Sequence, residues 1–210
     1  MFFKRKYDKL PKIEFSGITL ENPLGCVDNR ITPPVPGFLT LTPPKDGILD
    51  WISQLQTLRK ETVLAVNLRR DIQRSFALLY DFVDFIIVDT GSEEGTAEVS
   101  DITALLDELL SLRLCYERYT RILVRITGGL TNEEILPILD YCRMSGIDGV
   151  MVSGQKKYKL IEDHTGGRLP VIFCTDSPQE AIEFCSNGTP VETSLGRIQR
   201  MLIYKTLIKK

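Results

Sequence analysis

Short apolar runs of strand length alternate along this chain with longer amphipathic segments, and this alternation limits the folds open to it. The runs are rich in β-branched residues and apolar at consecutive positions, as strands covered on both faces are. They cover residues 24–27, 37–41, 63–68, 84–88, 122–126, 149–152, 170–174 and 191–195. A chain of this kind builds parallel β–α–β units.

The amphipathic segments predict about seven helices, and residues 132–145 form the best-marked one. Thr131 followed by Glu134 is a capping signal before that helix, and Gly146 is typical of its end. Four other helices have bounds that the sequence defines, namely residues 46–60, 100–119, 177–186 and 197–208.

Eight strands in strict alternation with helices indicate an α/β fold, a (β/α)8 TIM barrel with short βα loops. Before the first strand, KIEFSGITLENP predicts a small β-hairpin that caps the bottom of the barrel. The first crossover, residues 28–36, is too short and proline-rich for a normal helix. With no repeat or linker, residues 1–210 form a single domain. An open, doubly wound sheet is the alternative.

Composition excludes several classes of function. The net charge of −2 leaves no basic field to recruit nucleic acid or a membrane surface. The sequence shows neither a signal peptide nor a run long enough to span a membrane, so we expect a cytoplasmic protein. Five cysteines without metal-binding spacing and a single histidine, His164, predict reduced thiols and no metal centre. The alternative is a divalent cation held at the mouth of the barrel by a ring of carboxylates, Asp28, Glu93, Glu94 and Asp176.

One charge lies inside an apolar strand. Arg125 stands among Ile122, Leu123, Val124 and Ile126. A charge in a buried strand costs several kcal/mol unless it is paired, so Arg125 must meet a ligand, an internal acid or water. Asp89 and Glu192 are the acids on neighbouring or nearby strands that can pair with it.

The order of the motifs resembles one enzyme family. FSGITLENPLG, PGFLTLTPP, LAVNL, DFVDFIIVDTGSEEGT and LVRITGGLTNEEI…GIDGVMVSG resemble successive strand motifs of the dihydroorotate dehydrogenases, which are FMN-dependent (β/α)8 barrels. The resemblance runs from about Phe15 to the C-terminus. It implies a flavoprotein oxidoreductase of pyrimidine biosynthesis, and a homodimer by analogy with the soluble members.

The same resemblance implies site residues. Ser92 takes the place of a serine that acts as general base, and Arg125 takes the place of a lysine that contacts the flavin, so these two are the catalytic candidates. The candidates for binding FMN are Asn67, Arg125, Ser153, Ser194, Gly196 and Arg197.

Departures from the family are equally informative. Asp89 replaces a strand asparagine, and Gly154-Gln155 replaces the pair that holds orotate. At the turn that presents backbone N–H groups to the FMN phosphate, Asp176 would repel the phosphate and Pro178 has no N–H to donate. The family chain is also longer, so βα loops are missing here.

Three functions follow. The favoured hypothesis is a divergent dihydroorotate dehydrogenase-like barrel with weakened or lost dihydroorotate oxidation, acting as a binding or interaction protein. The first alternative is an active FMN-dependent oxidoreductase with an altered substrate. The second is an isomerase-type barrel for a small anionic ligand, with Arg125 or Arg197 on a phosphate and Asp28 or Asp89 as acid/base.

Overall fold

A computed structural model describes residues 10–27, 36–68, 71–92, 95–96, 98–127 and 129–209. The side chains of Ser92 and Thr96 lie outside this description, as does most of the first crossover, so the prediction for residues 28–36 falls largely outside the described residues.

Eight parallel strands close into a barrel, and the chain also forms two small hairpins. The strands are β1 Ile13–Phe15, β2 Ile18–Leu20, β3 Leu24–Val27, β4 Phe38–Leu41, β5 Val63–Leu68, β6 Phe85–Asp89, β7 Gly91–Ser92, β8 Gly95–Thr96, β9 Arg121–Ile126, β10 Gly149–Ser153, β11 Val171–Cys174 and β12 Val191–Thr193. Around the barrel the order is β10, β11, β12, β3, β4, β5, β6 and β9. The predicted barrel is confirmed, and its closure excludes the open, doubly wound sheet.

Seven helices lie in the described part of the chain. They are α1 Ile48–Leu58, α2 Ile72–Leu79, α3 Val99–Arg113, α4 Asn132–Ser145, α5 Gln155–Thr165, α6 Pro178–Ser186 and α7 Arg197–Lys209. The predicted bounds of α4 are confirmed. The prediction for α3 is wrong at its end, because the chain leaves the helix after Arg113 and Tyr116 stacks on Tyr80 with ring centroids 3.5 Å apart. None of these helices is long and apolar enough to cross a membrane.

The predicted hairpin closes the N-terminal end of the barrel. β1 and β2 pair antiparallel across a two-residue turn in which Ser16 and Gly17 both have positive φ, 49° and 72°. A turn with both central residues left-handed matches the twist of the strands that it joins. Phe15 and Leu20 are thereby directed into the barrel interior, where they pack with Phe38, Ala65, Phe85, Ile87, Leu123, Met151 and Ile172.

Capping fixes where α4 begins, immediately beyond the C-terminal mouth of the barrel. The Thr131 hydroxyl accepts from the Glu134 N–H at 3.3 Å, and the Thr131 N–H donates to the Glu134 carboxylate at 2.7 Å. These two hydrogen bonds satisfy N–H groups that a helix start leaves without partners. Hydrogen bonds from the Thr131 backbone and side chain also lower the pKa of Glu134.

We expect Thr131→Ala to lower the free energy of unfolding by about 1 kcal/mol, because it removes the cap. Urea denaturation at neutral pH measures the change. Since the pKa of Glu134 is lowered on folding, its contribution is present above the unfolded pKa and is lost as the pH falls through the folded pKa. Thr57→Ala, at an exposed position near the end of α1, is the control and should change stability by less than about 0.5 kcal/mol. Equal effects of the two substitutions would contradict the role of the cap.

Candidate functional site

A polar layer crosses the barrel interior near its C-terminal mouth. Residues paired in register on neighbouring parallel strands point to the same face of the sheet. The register joins Asp89 to Arg125, Arg125 to Met151, and Cys174 to Glu192. Below this layer the interior is apolar. The layer's inward-facing members are Thr40, Asn67, Asp89, Arg125, Ser153, Cys174 and Glu192.

Arg125 pairs with Glu192 across the barrel. Nη2 of Arg125 lies 2.9 Å from Oε1 and 2.7 Å from Oε2 of Glu192, so one nitrogen meets both carboxylate oxygens. The Glu192 side chain is 4% exposed and that of Arg125 is 19% exposed. Of the two acids that the sequence named as possible partners, Glu192 therefore forms the ion pair with Arg125.

Two further groups complete the surroundings of Glu192. The Thr40 hydroxyl, from β4, donates to Oε1, and the Cys174 sulfur lies 3.6 Å from Oε2. Sequence reasoning missed Thr40, although its position in an apolar strand, like that of Arg125, is the signal that marks it. The carboxylate thus links β9, β11, β12 and β4 at one level of the barrel.

Burying the Arg125–Glu192 ion pair costs desolvation free energy that its contacts must offset. Desolvating two charges costs several kcal/mol for each ion, and only good geometry with additional hydrogen bonds offsets this cost. Glu192 has such bonds, whereas Nε of Arg125 is buried without a hydrogen-bond partner among the described residues. Removing either partner would leave a buried charge alone.

A cavity of about 430 Å³ lies above the pair, on the β10–β12 side of the mouth. Among its described lining residues, three are acidic, Asp176, Glu180 and Glu192, and one is basic, Arg125. Such a lining disfavours an anionic ligand. The rest of the wall consists of Val27, Ser153, Gly154, Cys174, Thr175, Thr193 and Ser194.

Asp176 uses the donors of the expected phosphate site. Its Oδ1 accepts from the Ser194 N–H at 2.9 Å and from the Ser194 hydroxyl at 2.7 Å. These hydrogen bonds lower the pKa of Asp176, and the bond from the Ser194 hydroxyl has the larger effect. Gly196 and Arg197 follow, exposed, at the start of α7, and a Cβ added to Gly196 would meet nothing within 4 Å. The donors that remain for a phosphate at this turn therefore exclude the Ser194 N–H and hydroxyl.

Asn67 belongs to a different part of the mouth. It is 3% exposed, its Oδ1 has no hydrogen-bond partner among the described residues, and it lines a second cavity beside β4 and β5. The cavities share no lining residue. The structure therefore brings Arg125, Ser153 and Ser194 together and leaves Asn67 apart.

Other candidate positions are placed as follows. The Ser92 side chain, Asp28, Glu93 and Glu94 lie outside the described residues, so the predicted base and most of the cation ring do too. Asp89 accepts from the Gly91 N–H at 3.1 Å. His164 is half-buried at the end of α5, 2.9 Å from Asp140. Within the described ranges no group of three or more metal-ligating side chains occurs.

Known structures share this fold. A dihydroorotate dehydrogenase (DHODH) from Eimeria tenella, in complex with ferulenol, superposes with a TM-score of 0.72 at 14% identity, covering 98% of this chain and 84% of its own. A ligand-free DHODH from the same organism gives a TM-score of 0.70 at 14% identity, with coverages of 96% and 86%. No protein-family model and no curated protein matches the sequence.

The fold is thus a parallel eight-stranded barrel like that of the dihydroorotate dehydrogenases. TM-scores of 0.72 and 0.70 over nearly the whole chain establish the fold, which the sequence motifs had indicated.

We expect Arg125→Met to lower the free energy of unfolding by roughly 3–5 kcal/mol, because it leaves the Glu192 carboxylate buried without its cation. The double variant Arg125→Met with Glu192→Leu should be close to the wild type or more stable, since both charges are gone. Chemical denaturation of the wild type, both single variants and the double variant measures the coupling.

The control is Arg143→Met, which breaks the surface pair with Asp140 and should cost less than about 1 kcal/mol. If Arg125→Met lowered the free energy of unfolding by as little as this control, the buried pair would not be a main stabilising contact of the barrel mouth.

We expect the Cys174 thiol to resist alkylation. Burial, and then the Glu192 carboxylate, raise its pKa well above the ordinary value, and the thiolate is the reactive form. Iodoacetamide at mildly alkaline pH should therefore modify exposed Cys115 first, as peptide mass spectrometry would show. Modification of Cys174 at the rate of Cys115 would contradict this arrangement.

Proposed function

We propose that this protein is a divergent dihydroorotate dehydrogenase-like barrel that has lost the flavin-dependent reaction and acts as a binding protein. The observation that carries the proposal is the Arg125–Glu192 pair, with 2.7 Å between Nη2 and Oε2. By resemblance, Arg125 stands where a flavin-contacting lysine stands in the enzymes. The Nη2 group of this guanidinium is held by an internal carboxylate and is therefore not available to a cofactor.

The expected phosphate site gives independent support. An FMN phosphate needs unpaired backbone N–H groups and no competing anion. The Ser194 N–H already donates to Asp176, whose lowered pKa keeps it ionised. Asp176 is thus an internal replacement for a phosphate group, and Glu180 adds a second carboxylate to the same wall.

The residues present therefore do not fit FMN. Asn67, the third contact expected for the cofactor, lines the other cavity. Binding FMN would require breaking the Arg125–Glu192 pair and displacing Asp176 from Ser194 together. Breaking the pair would leave the Arg125 guanidinium, whose Nε already has no hydrogen-bond partner among the described residues, without its carboxylate.

The active FMN-dependent oxidoreductase with an altered substrate remains the alternative function, because the barrel itself is of the dihydroorotate dehydrogenase type. A cytoplasmic location and a homodimer stay predictions from the sequence and the resemblance, as does the lack of a nucleic-acid partner.

The deciding measurement is the visible absorbance spectrum of the freshly purified protein, followed by titration with FMN. We expect no flavin band and no rise in melting temperature with added FMN. A flavin-loaded dihydroorotate dehydrogenase, purified in parallel, shows that the procedure retains the cofactor. Stoichiometric FMN in this protein would overturn the proposal and favour the oxidoreductase.

A further inference from the structure

The second cavity of the barrel mouth has the features of a ligand site. It has a volume of about 510 Å³, within the usual range of small-molecule pockets, and lies between the segments that follow β4 and β5. Its lining is Thr42, Pro43, Pro44, Lys45, Ile48, Asn67, Asp71, Arg74, Ser75 and Leu78. We call it the Asn67 cavity.

The floor carries an unmet hydrogen-bonding requirement. Asn67 is 97% buried, and its Oδ1 finds no donor among the described residues. A buried polar atom without a partner costs about 1–3 kcal/mol. Because Asn67 lines the cavity, a flip of its amide brings Oδ1 to the cavity surface, where a ligand hydroxyl or N–H can donate to it.

The rim supplies positive charge. Lys45 and Arg74 line the cavity, and neither makes an ion pair or side-chain hydrogen bond with another described residue. Among the described lining residues, Asp71 is the one acidic side chain. This balance is the reverse of the cavity above Arg125, where three acids face one base.

Two helix starts also border the Asn67 cavity, since Ile48 and Asp71 belong to its lining. α1 begins at Ile48 after Gly47, which has a φ of 73° and offers no capping side chain, and α2 begins after Asp71, whose side chain does not cap it. First-turn N–H groups at such starts, with the positive end of the helix dipole, favour an anion. The proline and aliphatic side chains of the wall suit a short carbon chain.

We propose that the Asn67 cavity binds a phosphate monoester of a small polyol or sugar. The phosphate lies between Lys45, Arg74 and the helix starts, and a hydroxyl group donates to Oδ1 of Asn67. This inference rests on the proposed function in one respect, since it assigns a site to the binding role, but its geometry does not depend on the state of the Arg125–Glu192 pair.

The probes are glycerol 3-phosphate and ribose 5-phosphate, titrated calorimetrically into the full chain, with inorganic phosphate and glycerol as partial ligands. We expect saturable binding of at least one ester. Lys45→Ala and Arg74→Ala should each weaken that binding roughly tenfold or more, because each removes a charge-assisted contact. Lys159→Ala, an exposed lysine on α5 with the same loss of charge, is the matched control and should change nothing.

Asn67→Leu tests the other end of the ligand. The substitution removes an amide oxygen that has no described partner, so the protein should melt no lower than the wild type. It should weaken ester binding roughly tenfold and leave the weaker binding of inorganic phosphate unchanged.

Three results would overturn the site: no saturable binding of either ester, an equal loss in Lys159→Ala, or undiminished ester binding by Asn67→Leu. The flavin spectrum is recorded on the same preparation. Bound flavin together with ester binding at Asn67 would refute the proposed function and support the ester site. A flavin-free protein that binds neither ester would support the loss of the flavin reaction and refute the ester site.

Discussion

The ion pair between Arg125 and Glu192 is the constraint on which the mouth of this barrel depends. A buried charge needs a partner with nearly ideal geometry, and the carboxylate of Glu192 meets one guanidinium nitrogen with both its oxygens. The Thr40 hydroxyl also donates to Oε1 of the same carboxylate. Four strands are thereby linked through one side chain, at the level where the apolar interior gives way to a polar layer.

Charge is distributed unequally around the mouth. On the β11–β12 side, Asp176 and Glu180 add carboxylates beside the pair, and Asp176 uses the Ser194 donors that a phosphate would need. On the β4–β5 side, Lys45 and Arg74 surround a buried amide with an unused oxygen. Active sites of TIM barrels lie at this C-terminal face. Among the described residues, this face has an anionic side and a cationic side, and the cationic side offers the better place for an anionic ligand.

Most of the fold follows from local signals. All eight barrel strands fall on the predicted apolar runs, because strands buried on both faces must be continuously apolar. Thr131 and Glu134 fix the start of α4, since their hydrogen bonds involve only residues three apart. The end of α3 was predicted wrongly because Tyr116 leaves the helix to stack on Tyr80, a contact between distant residues that no local pattern contains.

The features of the candidate site also divide into those that the sequence determined and those that only the folded barrel decided. The sequence by itself determined that Arg125 needs a partner, since a charge in a buried strand requires one whatever the fold. Only the tertiary structure decided that the partner is Glu192, because closure of the barrel brings this carboxylate to the guanidinium across the interior, while Asp89, on the neighbouring strand, accepts from the Gly91 N–H. The Asn67 cavity was also beyond the sequence, because its amide, Lys45 and Arg74 come from three segments that only the folded barrel brings to one place.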